Sequence, residues 1–157
     1  MADTAKYLVF VLDDHRFALP LAVVRRVERM VEVSPLSGAP PVVLGAINVK
    51  GRLAPVLDTR RRFGLPPREV RIADQLIFAR AGERDVALWV DDTLDVMEAD
   101  ALGVVPADAV WPGFDATAGL ARLGPDIVAI HDLERFFTAA ETRMVDAALR
   151  EPAPREA

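Results

Sequence analysis

The amino-acid sequence predicts an all-β fold built from two similar small barrels, with short helical turns and a C-terminal α-helix. Short apolar runs are separated by turn-forming residues along most of the chain, a pattern that is typical of barrels and sandwiches. Two such patterns also recur in the same order, which indicates an internal repeat.

Closely spaced apolar runs predict the strands. Two pairs of runs are each joined by a short polar turn, and each pair therefore predicts a β-hairpin. The pairs are residues 7–12 with 17–21 and residues 76–80 with 86–90. Two further strands follow tight turns and span residues 53–57 and 127–130.

Aspartates that follow strands predict two short helical pieces. Asp58 can cap residues 59–63, a piece that Gly64 would end. Asp132 can cap residues 133–137 in the same way. Both pieces are expected to connect strands of the barrels.

A longer helix is predicted at the C-terminus. Thr138 and Glu141 have the spacing of a capping box, in which the hydroxyl and the carboxylate satisfy each other's backbone donors. Apolar residues then recur at helical spacing, so one face of the helix can pack on the barrels. These residues are Val145, Ala148 and Leu149, with Met144 beside them.

The repeat consists of two segments that each occur twice. The first segment is a hairpin followed by a helical turn, and its two copies end at Val27 and at Val96. The second segment is a strand followed by an aspartate and a helical turn, and its two copies end at Phe63 and at Phe137. Because both segments recur at similar offsets, we interpret the repeat as a duplication that gives two small barrels in one chain.

The composition of the chain excludes several kinds of site and argues against one class of partner. The chain has 157 residues, a net charge of −5 and no cysteine, which excludes disulfides, thiolate nucleophiles and cysteine-based zinc sites. The acidic balance argues against nucleic-acid binding, because such proteins present a basic face. The basic cluster Arg60-Arg61-Arg62 is interpreted as a solvated helical face.

Residues 1–150 are expected to form a single domain and residues 151–157 a flexible tail. A chain of about 150 residues buries roughly 70% of its extended surface, which is enough for a core without a metal or disulfide. The longest uncharged segment, residues 33–49, is interrupted by proline, glycine and serine and is too short to span a membrane. Without a signal-peptide pattern at the N-terminus, we expect a cytoplasmic protein that does not insert into membranes.

Residues suited to catalysis are sparse, and no enzyme activity, cofactor or metal is predicted. Both serines lie in a turn-rich loop at residues 34–37, without a nucleophile elbow. His15 lies in a predicted turn and His131 at the end of a predicted strand, where a lone histidine is most often a surface or packing residue. The acidic cluster at residues 91–95 lacks the spacing of a calcium loop and is interpreted as a solvated turn.

Four segments resemble the CheW family. Its central signature runs as proline, a few apolar residues, glycine, Asn-apolar-basic-Gly, two residues and Pro-apolar-apolar-Asp, and is similar to residues 39–58, APPVVLGAINVKGRLAPVLD. Residues 7–27 resemble the opening hairpin of the family, residues 82–92 its second hairpin and residues 119–137 its last strands. The resemblance extends over residues 7–149.

The resemblance implies a fold of two intertwined five-stranded SH3-like β-barrels. It also implies a non-catalytic adaptor that couples the cytoplasmic tips of chemoreceptors to the regulatory domain of a CheA-type histidine kinase. The groove between the barrels would bind the receptor tip, and barrel faces would bind the kinase. Such an adaptor would be recruited to membrane-associated receptor arrays.

The match to the family motifs implies partner-binding positions. The candidates near the receptor groove are Val24, Arg26, Val27, Asn48, Lys50 and Gly51. The candidates on the second barrel are Leu76, Val90 and Asp91. The competing interpretation is ordinary barrel packing for the apolar positions and a turn with positive φ for the glycine.

Two candidate positions depart from the family pattern. Many members carry arginine where Lys50 stands and an acidic residue where Arg26 stands, and lysine cannot reproduce the planar fork of arginine. Glu28 is the nearby acidic residue that could replace the missing carboxylate. These departures lead to the hypothesis of a coupling protein for a specialised or auxiliary array, such as one that serves surface motility.

Three other functions stay open. A CheW-like domain can regulate a kinase without any receptor, and small barrels often bind single-stranded nucleic acid. A small hydrolase would need a deep pocket that places His15 or His131 beside a serine or an aspartate.

Overall fold

Within the residues that the structure describes, 4–100, 104–105, 117–123 and 126–150, the computed structural model contains eleven β-strands, two α-helices and two 3₁₀ helices. The strands are β1 (Thr4–Leu12), β2 (His15–Pro20), β3 (Val24–Arg29), β4 (Val43–Val49), β5 (Arg52–Asp58), β6 (Gln75–Ala81), β7 (Arg84–Val90), β8 (Asp92–Asp100), β9 (Val104–Val105), β10 (Thr117–Leu123) and β11 (Asp126–His131). The helices are α1 (Thr59–Arg62), α2 (Ala139–Arg150) and the 3₁₀ helices Leu21–Val23 and Leu133–Arg135. The all-β class is confirmed, and the tail expected at residues 151–157 lies outside the described residues.

The strands form two sheets, which we call lobe I and lobe II. Lobe I has the strand order β8-β1-β2-β11-β10-β9, in which β9 has only two residues. Lobe II has the order β3-β6-β7-β5-β4. Apart from the short β9, each lobe therefore has the five strands that the sequence analysis expects.

Each lobe takes strands from both halves of the chain. The β1–β2 hairpin lies in lobe I, whereas the next three strands lie in lobe II beside the β6–β7 hairpin. One parallel pair in each lobe, β2 with β11 and β5 with β7, joins a hairpin to a strand of the other half. In the same way Val27 of β3 pairs with Ile77 of β6, and Val96 of β8 pairs with Leu8 of β1. The lobes are thus intertwined, and the repeated segments occupy equivalent places.

Lobe II is closed by the chain that follows β3. Ser34 and Ala46 of β4 exchange two backbone hydrogen bonds of 2.8 and 3.0 Å. The crossing brings residues 33–34 directly over Gly45, where an added Cβ would overlap the carbonyl oxygen of Ser34 and lie 2.7 Å from Cγ1 of Val33. Only glycine fits this close approach, which explains the glycine of the central signature in physical terms.

The lobes share one core. The largest cluster of buried apolar side chains combines Phe10 and Leu19 of lobe I with Leu57 and Leu88 of lobe II, and it includes Val145 of α2. Two smaller clusters each belong to a single lobe. Because burial of apolar area is the main favourable term in folding, the shared cluster makes the two lobes one cooperative unit.

The predicted helix starts are confirmed. Asp58 accepts a hydrogen bond from the backbone N–H of Arg61 in α1. Asp132 accepts one from the backbone N–H of Glu134, although the piece that it caps is a 3₁₀ helix and is shorter than expected.

The capping box of α2 forms as the sequence predicts. The Thr138 N–H donates to the Glu141 carboxylate over 2.9 Å, and the Glu141 N–H donates to the Thr138 hydroxyl over 3.1 Å. Val145 and Ala148 of α2 are buried, whereas Met144 is 41% exposed. In the described part of the chain, no helix has the length and apolar character needed to cross a membrane.

Candidate partner-binding surface

A shallow groove on lobe II brings two of the predicted positions together. Arg26 of β3 and Lys50 of the β4–β5 turn both line this groove, which has a volume of about 230 Å³. Its other lining residues are Arg25, Val49, Phe78, Ala79, Asp85 and Val86. We call it the lobe II groove.

The β4–β5 turn holds Lys50 in a defined position. Lys50 and Gly51 have φ angles of 51° and 85°, and two consecutive left-handed residues are the geometry of a type I′ hairpin turn. The side-chain oxygen of Asn48 accepts a hydrogen bond of 2.8 Å from the backbone N–H of Gly51. Asn48 and Gly51 therefore shape the turn, and Lys50 lies exposed at its tip.

Arg26 is oriented by two contacts. Its Nε atom lies 3.1 Å from the carboxylate of Glu28, and its guanidinium carbon lies 4.4 Å from the ring centre of Phe78. Because both charged side chains are about half exposed, the ion pair contributes at most about 1 kcal/mol. The ring contact adds a cation–π attraction that holds the guanidinium over β6.

A second cavity lies between the lobes and adjoins the lobe II groove at Arg25. This inter-lobe cavity has a volume of about 420 Å³. Its other lining residues are Pro20, Ala22, Val23, Arg80, Gly82, His131, Asp132, Leu133 and Glu134. Lobe I and lobe II therefore both contribute to a concave region beside the predicted receptor-groove positions.

The two valines predicted on β3 differ in exposure. Val24 is partly buried and packs against the shared core. Val27, in contrast, is 37% exposed. Of these two apolar positions, Val27 presents the larger surface to a partner.

The structure corrects two of the second-barrel positions. Leu76 packs in the lobe II cluster and Val90 in the shared core, and both side chains are fully buried. Neither side chain can touch a partner while the lobes are folded. The interpretation as barrel packing is the right one for these two residues.

Asp91 belongs to an ion-pair network rather than to a solvated turn. Its carboxylate accepts hydrogen bonds from the backbone N–H of Asp13 over 2.6 Å, from Arg60 over 2.6 Å and from Arg68 over 2.5 Å. The solvated-turn interpretation is therefore wrong for Asp91, and the solvated-face interpretation is wrong for Arg60, which is only 2% exposed.

Arg68 extends the network to the interior of lobe II. It donates to both carboxylate oxygens of Asp74, over 2.9 and 2.7 Å, and the indole N–H of Trp89 donates to Asp74 over 2.9 Å. Burial acts to raise the pKa of Asp74, but the hydrogen bonds from Arg68, the Arg71 backbone and Trp89 outweigh it and hold the pKa below its ordinary value. The hydrogen bond from Arg60 likewise lowers the pKa of the Asp13 carboxyl.

His131 is a buried polar residue that lines the inter-lobe cavity. Its ring packs against Phe63 and Phe136, with ring centres 5.0 and 5.5 Å away. Neither ring nitrogen has a hydrogen-bond partner in the described part of the chain. Burial, with a smaller effect from Arg62, lowers the pKa of His131 to about 3. The ring is thus held as a neutral packing group and not as a base hydrogen-bonded to a serine or an aspartate.

Three of the residues that shape these surfaces are not predicted from the sequence. Arg25 is adjacent to Arg26 in the sequence, and the paired arginines were the available signal. Phe78 and Arg68 had no such signal, because their roles depend on which strand and loop they meet in space. Among the described residues there is no cluster of three or more metal-ligating side chains.

Comparisons with known proteins agree with this architecture. Residues 6–141 match the model of the CheW-like domain family. A chemotaxis protein CheW of Rhizobium meliloti is 24% identical over 151 residues, which cover 90% of this chain and 97% of the relative. One of Klebsiella aerogenes is 24% identical over 143 residues, which cover 90% and 86%. The crystal structure of the scaffolding protein TtCheW from Thermoanaerobacter tengcongensis is similar with a TM-score of 0.80 and 24% identity, covering 90% of this chain and 96% of that one.

The fold and the groove together define a protein of two intertwined SH3-like barrels with an exposed, charged concave surface. The family model covers both lobes, from β1 to the first turn of α2. The chain belongs to the CheW-like domain family.

Proposed function

We propose that this protein is a non-catalytic chemotaxis adaptor that couples chemoreceptors to a CheA-type histidine kinase. The observation that carries the proposal is the match of residues 6–141 to the CheW-like domain. The relatives from Rhizobium meliloti and Klebsiella aerogenes are named as chemotaxis proteins, and TtCheW is described as a scaffolding protein. An adaptor needs stable surfaces and no reacting groups, which suits two rigid lobes with a shared core.

The receptor tip would bind at the concave region formed by the lobe II groove and the inter-lobe cavity. Arg26, Val27 and Lys50 are exposed there or beside it and would contact the receptor directly. Asn48 and Gly51 would act through the turn that positions Lys50, and Val24 would act through its packing at the start of β3. Helical partners are commonly bound in grooves of this kind by a few apolar and charged anchors.

The regulatory domain of the kinase would bind a face of lobe II outside the groove. Leu76 and Val90 would support that face from the interior, because they hold β6 and β7 in the core. Asp91 would support it through the ion pairs with Arg60 and Arg68. The direct contacts would then come from exposed neighbours of these residues.

The adaptor would work in the cytoplasm, recruited to membrane-associated receptor arrays without inserting into the membrane itself. The two basic positions, Arg26 and Lys50, support a specialised or auxiliary array as its place of action. A receptor that suits a groove with this charge would differ from one that suits an acidic residue at position 26.

The experiment is reconstitution with the receptors and the CheA-type kinase of the same organism. Receptors in nanodiscs, kinase and labelled ATP are combined with and without the full-length adaptor, and kinase autophosphorylation is measured. Addition of the adaptor is expected to give a receptor–kinase complex that sediments together and whose kinase activity responds to the receptor. A Gly45→Val variant, in which lobe II cannot close, is the matched inactive control.

Other outcomes would favour the remaining functions. Binding to the kinase with a change in its activity, but no binding to any receptor, would indicate a kinase regulator without a receptor. If the folded protein binds neither receptor nor kinase, the adaptor function is wrong. Salt-sensitive binding of single-stranded DNA in that case would favour a nucleic-acid-binding barrel.

A further inference from the structure

Another pocket lies between the β6–β7 turn and the beginning of α2, and we call it the α2 pocket. It has a volume of about 510 Å³. Its lining residues are Ala81, Gly82, Glu83, Arg84, Leu133, Glu134, Phe137 and Thr142. It adjoins the inter-lobe cavity at Gly82, Leu133 and Glu134 but shares no lining residue with the lobe II groove. The α2 pocket is therefore separate from the predicted receptor-groove positions.

The α2 pocket carries negative charge that its own cation does not neutralise. Glu83 and Glu134 are both exposed, and within the described residues neither carboxylate has a hydrogen-bond or ion-pair partner. The cation of the lining, Arg84, is paired with Asp146 of α2 instead. Two carboxylates beside one pocket are acceptors without a donor, and they favour a ligand that brings a positive charge.

The base of the α2 pocket is apolar and partly aromatic. Leu133 belongs to the shared core. Phe137 packs against the same core, and its ring stands edge-to-face against the ring of Phe136 with the centres 5.0 Å apart. An aromatic ring next to unpaired carboxylates suits a guanidinium, because that group stacks on the ring while its N–H groups pair with the carboxylates.

The internal repeat shows which side chain the α2 pocket lacks. In each half of the chain a two-residue hairpin turn begins with a residue of positive φ, Asp13 at 54° and Gly82 at 62°. In each half a helical turn also follows a capping aspartate, and the second residue after that aspartate is Arg60 in one half and Glu134 in the other. Asp13 and Gly82 thus occupy equivalent places, and so do Arg60 and Glu134.

The two equivalent places are filled by different chemistry. Arg60 is 3% exposed and donates a hydrogen bond of 2.6 Å to Asp13. In the other half Glu134 is exposed, and its carboxylate oxygen lies 4.0 Å from the position of a Cβ added to Gly82. An arginine that is paired with an aspartate is therefore replaced by a carboxylate, a bare backbone and an open pocket. This half has the anion and the space for a guanidinium but no guanidinium at that place.

We infer that the α2 pocket binds an arginine side chain presented by a segment of a protein partner. The guanidinium would pair with Glu134 and Glu83, and its face would rest on the ring of Phe137. Lysine suits the pocket less well, because an ammonium has no planar face to stack while it pairs with the carboxylates. The inference goes beyond the proposed function, since it adds a docking point that neither the receptor surface nor the kinase surface includes.

The inference is tested with a defined probe on the full-length protein. The probe is the blocked pentapeptide Gly-Leu-Arg-Leu-Gly, and its matched control carries citrulline in place of arginine, which keeps the shape and removes the charge. Binding is followed by the shifts of backbone amide signals in ¹⁵N-labelled protein. The variants are Glu83→Gln, Glu134→Gln, their combination and Phe137→Leu. Asp14→Asn is the control, because Asp14 is the exposed second residue of the equivalent turn in the other half.

The expected result is saturable binding of the arginine peptide, with shifts at the amides of Gly82, Glu83 and Thr142. Each glutamine substitution should raise Kd about threefold to fivefold, and the double change on the order of tenfold. Phe137→Leu should raise Kd about threefold, because the ring contact is lost while the base stays apolar. Asp14→Asn should bind like the wild-type protein, and the citrulline peptide should bind as weakly as the arginine peptide binds the double variant. Thermal unfolding checks that each variant is folded.

Different results would overturn the inference, and each of them leaves the coupling function as it stands. If the arginine peptide causes no saturable shifts at the pocket, or if the citrulline peptide binds equally well, the pocket does not recognise a guanidinium. If the double variant binds as tightly as Asp14→Asn, the peptide is held elsewhere on the protein. If the same amides shift with protein concentration alone, a second copy of this chain occupies the pocket, and the assignment of a separate partner is wrong.

Discussion

The guanidinium of Arg60 donates a hydrogen bond of 2.6 Å to the carboxylate of Asp91 and a second, also of 2.6 Å, to the carboxylate of Asp13. Arg60 lies in α1, directly after β5 of lobe II, and Asp91 is the residue that joins β7 of lobe II to β8 of lobe I, whereas Asp13 lies in the β1–β2 turn of lobe I. The backbone of Asp13 also donates to Asp91, and the backbone of Asp91 donates to Val11. Arg60 and Asp91 are therefore the centre of a polar connection between the lobes, next to their shared apolar core.

Replacement of Arg60 by alanine should destabilise the protein strongly. The side chain is 3% exposed, and among the described residues its loss leaves Asp91 with one cationic partner fewer and Asp13 with no ion-pair partner. Breaking the largely buried Arg60–Asp91 pair by removing one partner costs on the order of 3 kcal/mol. Urea unfolding should show this loss in the free energy of unfolding.

Arg61→Ala is the matched control for this change. Arg61 follows Arg60 directly, is 51% exposed and lies 3.8 Å from the Asp58 carboxylate, so its loss should cost less than about 1 kcal/mol. Equal effects of the two substitutions would contradict the assignment of Arg60 as the inter-lobe connection.

The arginine run also shows where the sequence stops being informative. Three consecutive arginines after a capping aspartate predict a charged helical turn, and α1 is one. Which of them points inward depends on Asp13 and Asp91, which are 47 and 31 residues away along the chain. Charge pattern alone could not predict that partnership.

The topology was more predictable than the site. Hairpins and caps are local, so turn residues and capping spacing located them, and the repeat indicated two equivalent lobes. The motif match assigned Leu76 and Val90 to the partner surface, although both side chains are buried. A motif match fixes only the position of a residue along the chain. It does not tell which face of the strand a side chain occupies, since neighbouring residues in a strand point in opposite directions.

Acid should weaken the network through Asp74. The pKa of this carboxyl in the folded protein is held below the ordinary value of 3.8. The ionised Asp74 therefore stabilises the folded protein fully at pH values above 3.8. This stabilisation is lost as the pH falls through the folded pKa. Urea unfolding at pH 5, 4 and 3 should therefore show a steep loss of stability below about pH 4, and Asp74→Asn should make the loss less steep.

Asp14→Asn is the control for the acid experiment. Asp14 is exposed in the β1–β2 turn, so the substitution should leave the slope of stability against pH as it is in the wild-type protein. A slope that is the same in all three proteins would show that Asp74 does not contribute to acid sensitivity.

Gly45→Ala should disrupt the closure of lobe II. The added methyl group would overlap the carbonyl oxygen of Ser34, which itself is bound to the backbone of Ala46. Relief requires movement of a backbone segment that is fixed by two hydrogen bonds, and overpacking of this kind costs about 2 kcal/mol or more. Thermal unfolding should show a clear fall in Tm.

Gly38→Ala separates this effect from ordinary loss of a glycine. Gly38 has a φ of 82° and no atom within 4 Å of an added Cβ, so only the backbone preference is lost, at about 1 kcal/mol. Hydrogen exchange provides a second readout, because the Ala46 amide should lose protection in Gly45→Ala and keep it in Gly38→Ala. Similar exchange in both variants would be evidence against the closure.

The pH dependence of stability above pH 4 should come from His131. Its pKa is about 3 in the folded protein and 6.5 in the unfolded chain. Between these values the unfolded state binds a proton that the folded state excludes, so stability falls as the pH is lowered from 6.5 toward 3. The slope approaches about 1.4 kcal/mol per pH unit at most.

His131→Leu should flatten this slope between pH 6.5 and 4.5. Leucine suits the pocket formed with Phe63 and Phe136 and removes two ring nitrogens that lack partners among the described residues. Because an unpaired buried donor costs about 1 kcal/mol or more, the variant should be at least as stable as the wild-type protein at pH 7. His15→Gln, at an exposed position, serves as the control and should retain the wild-type slope. A slope that survives in His131→Leu would mean that the imidazole is protonated inside the folded protein, and the neutral packing role would then be wrong.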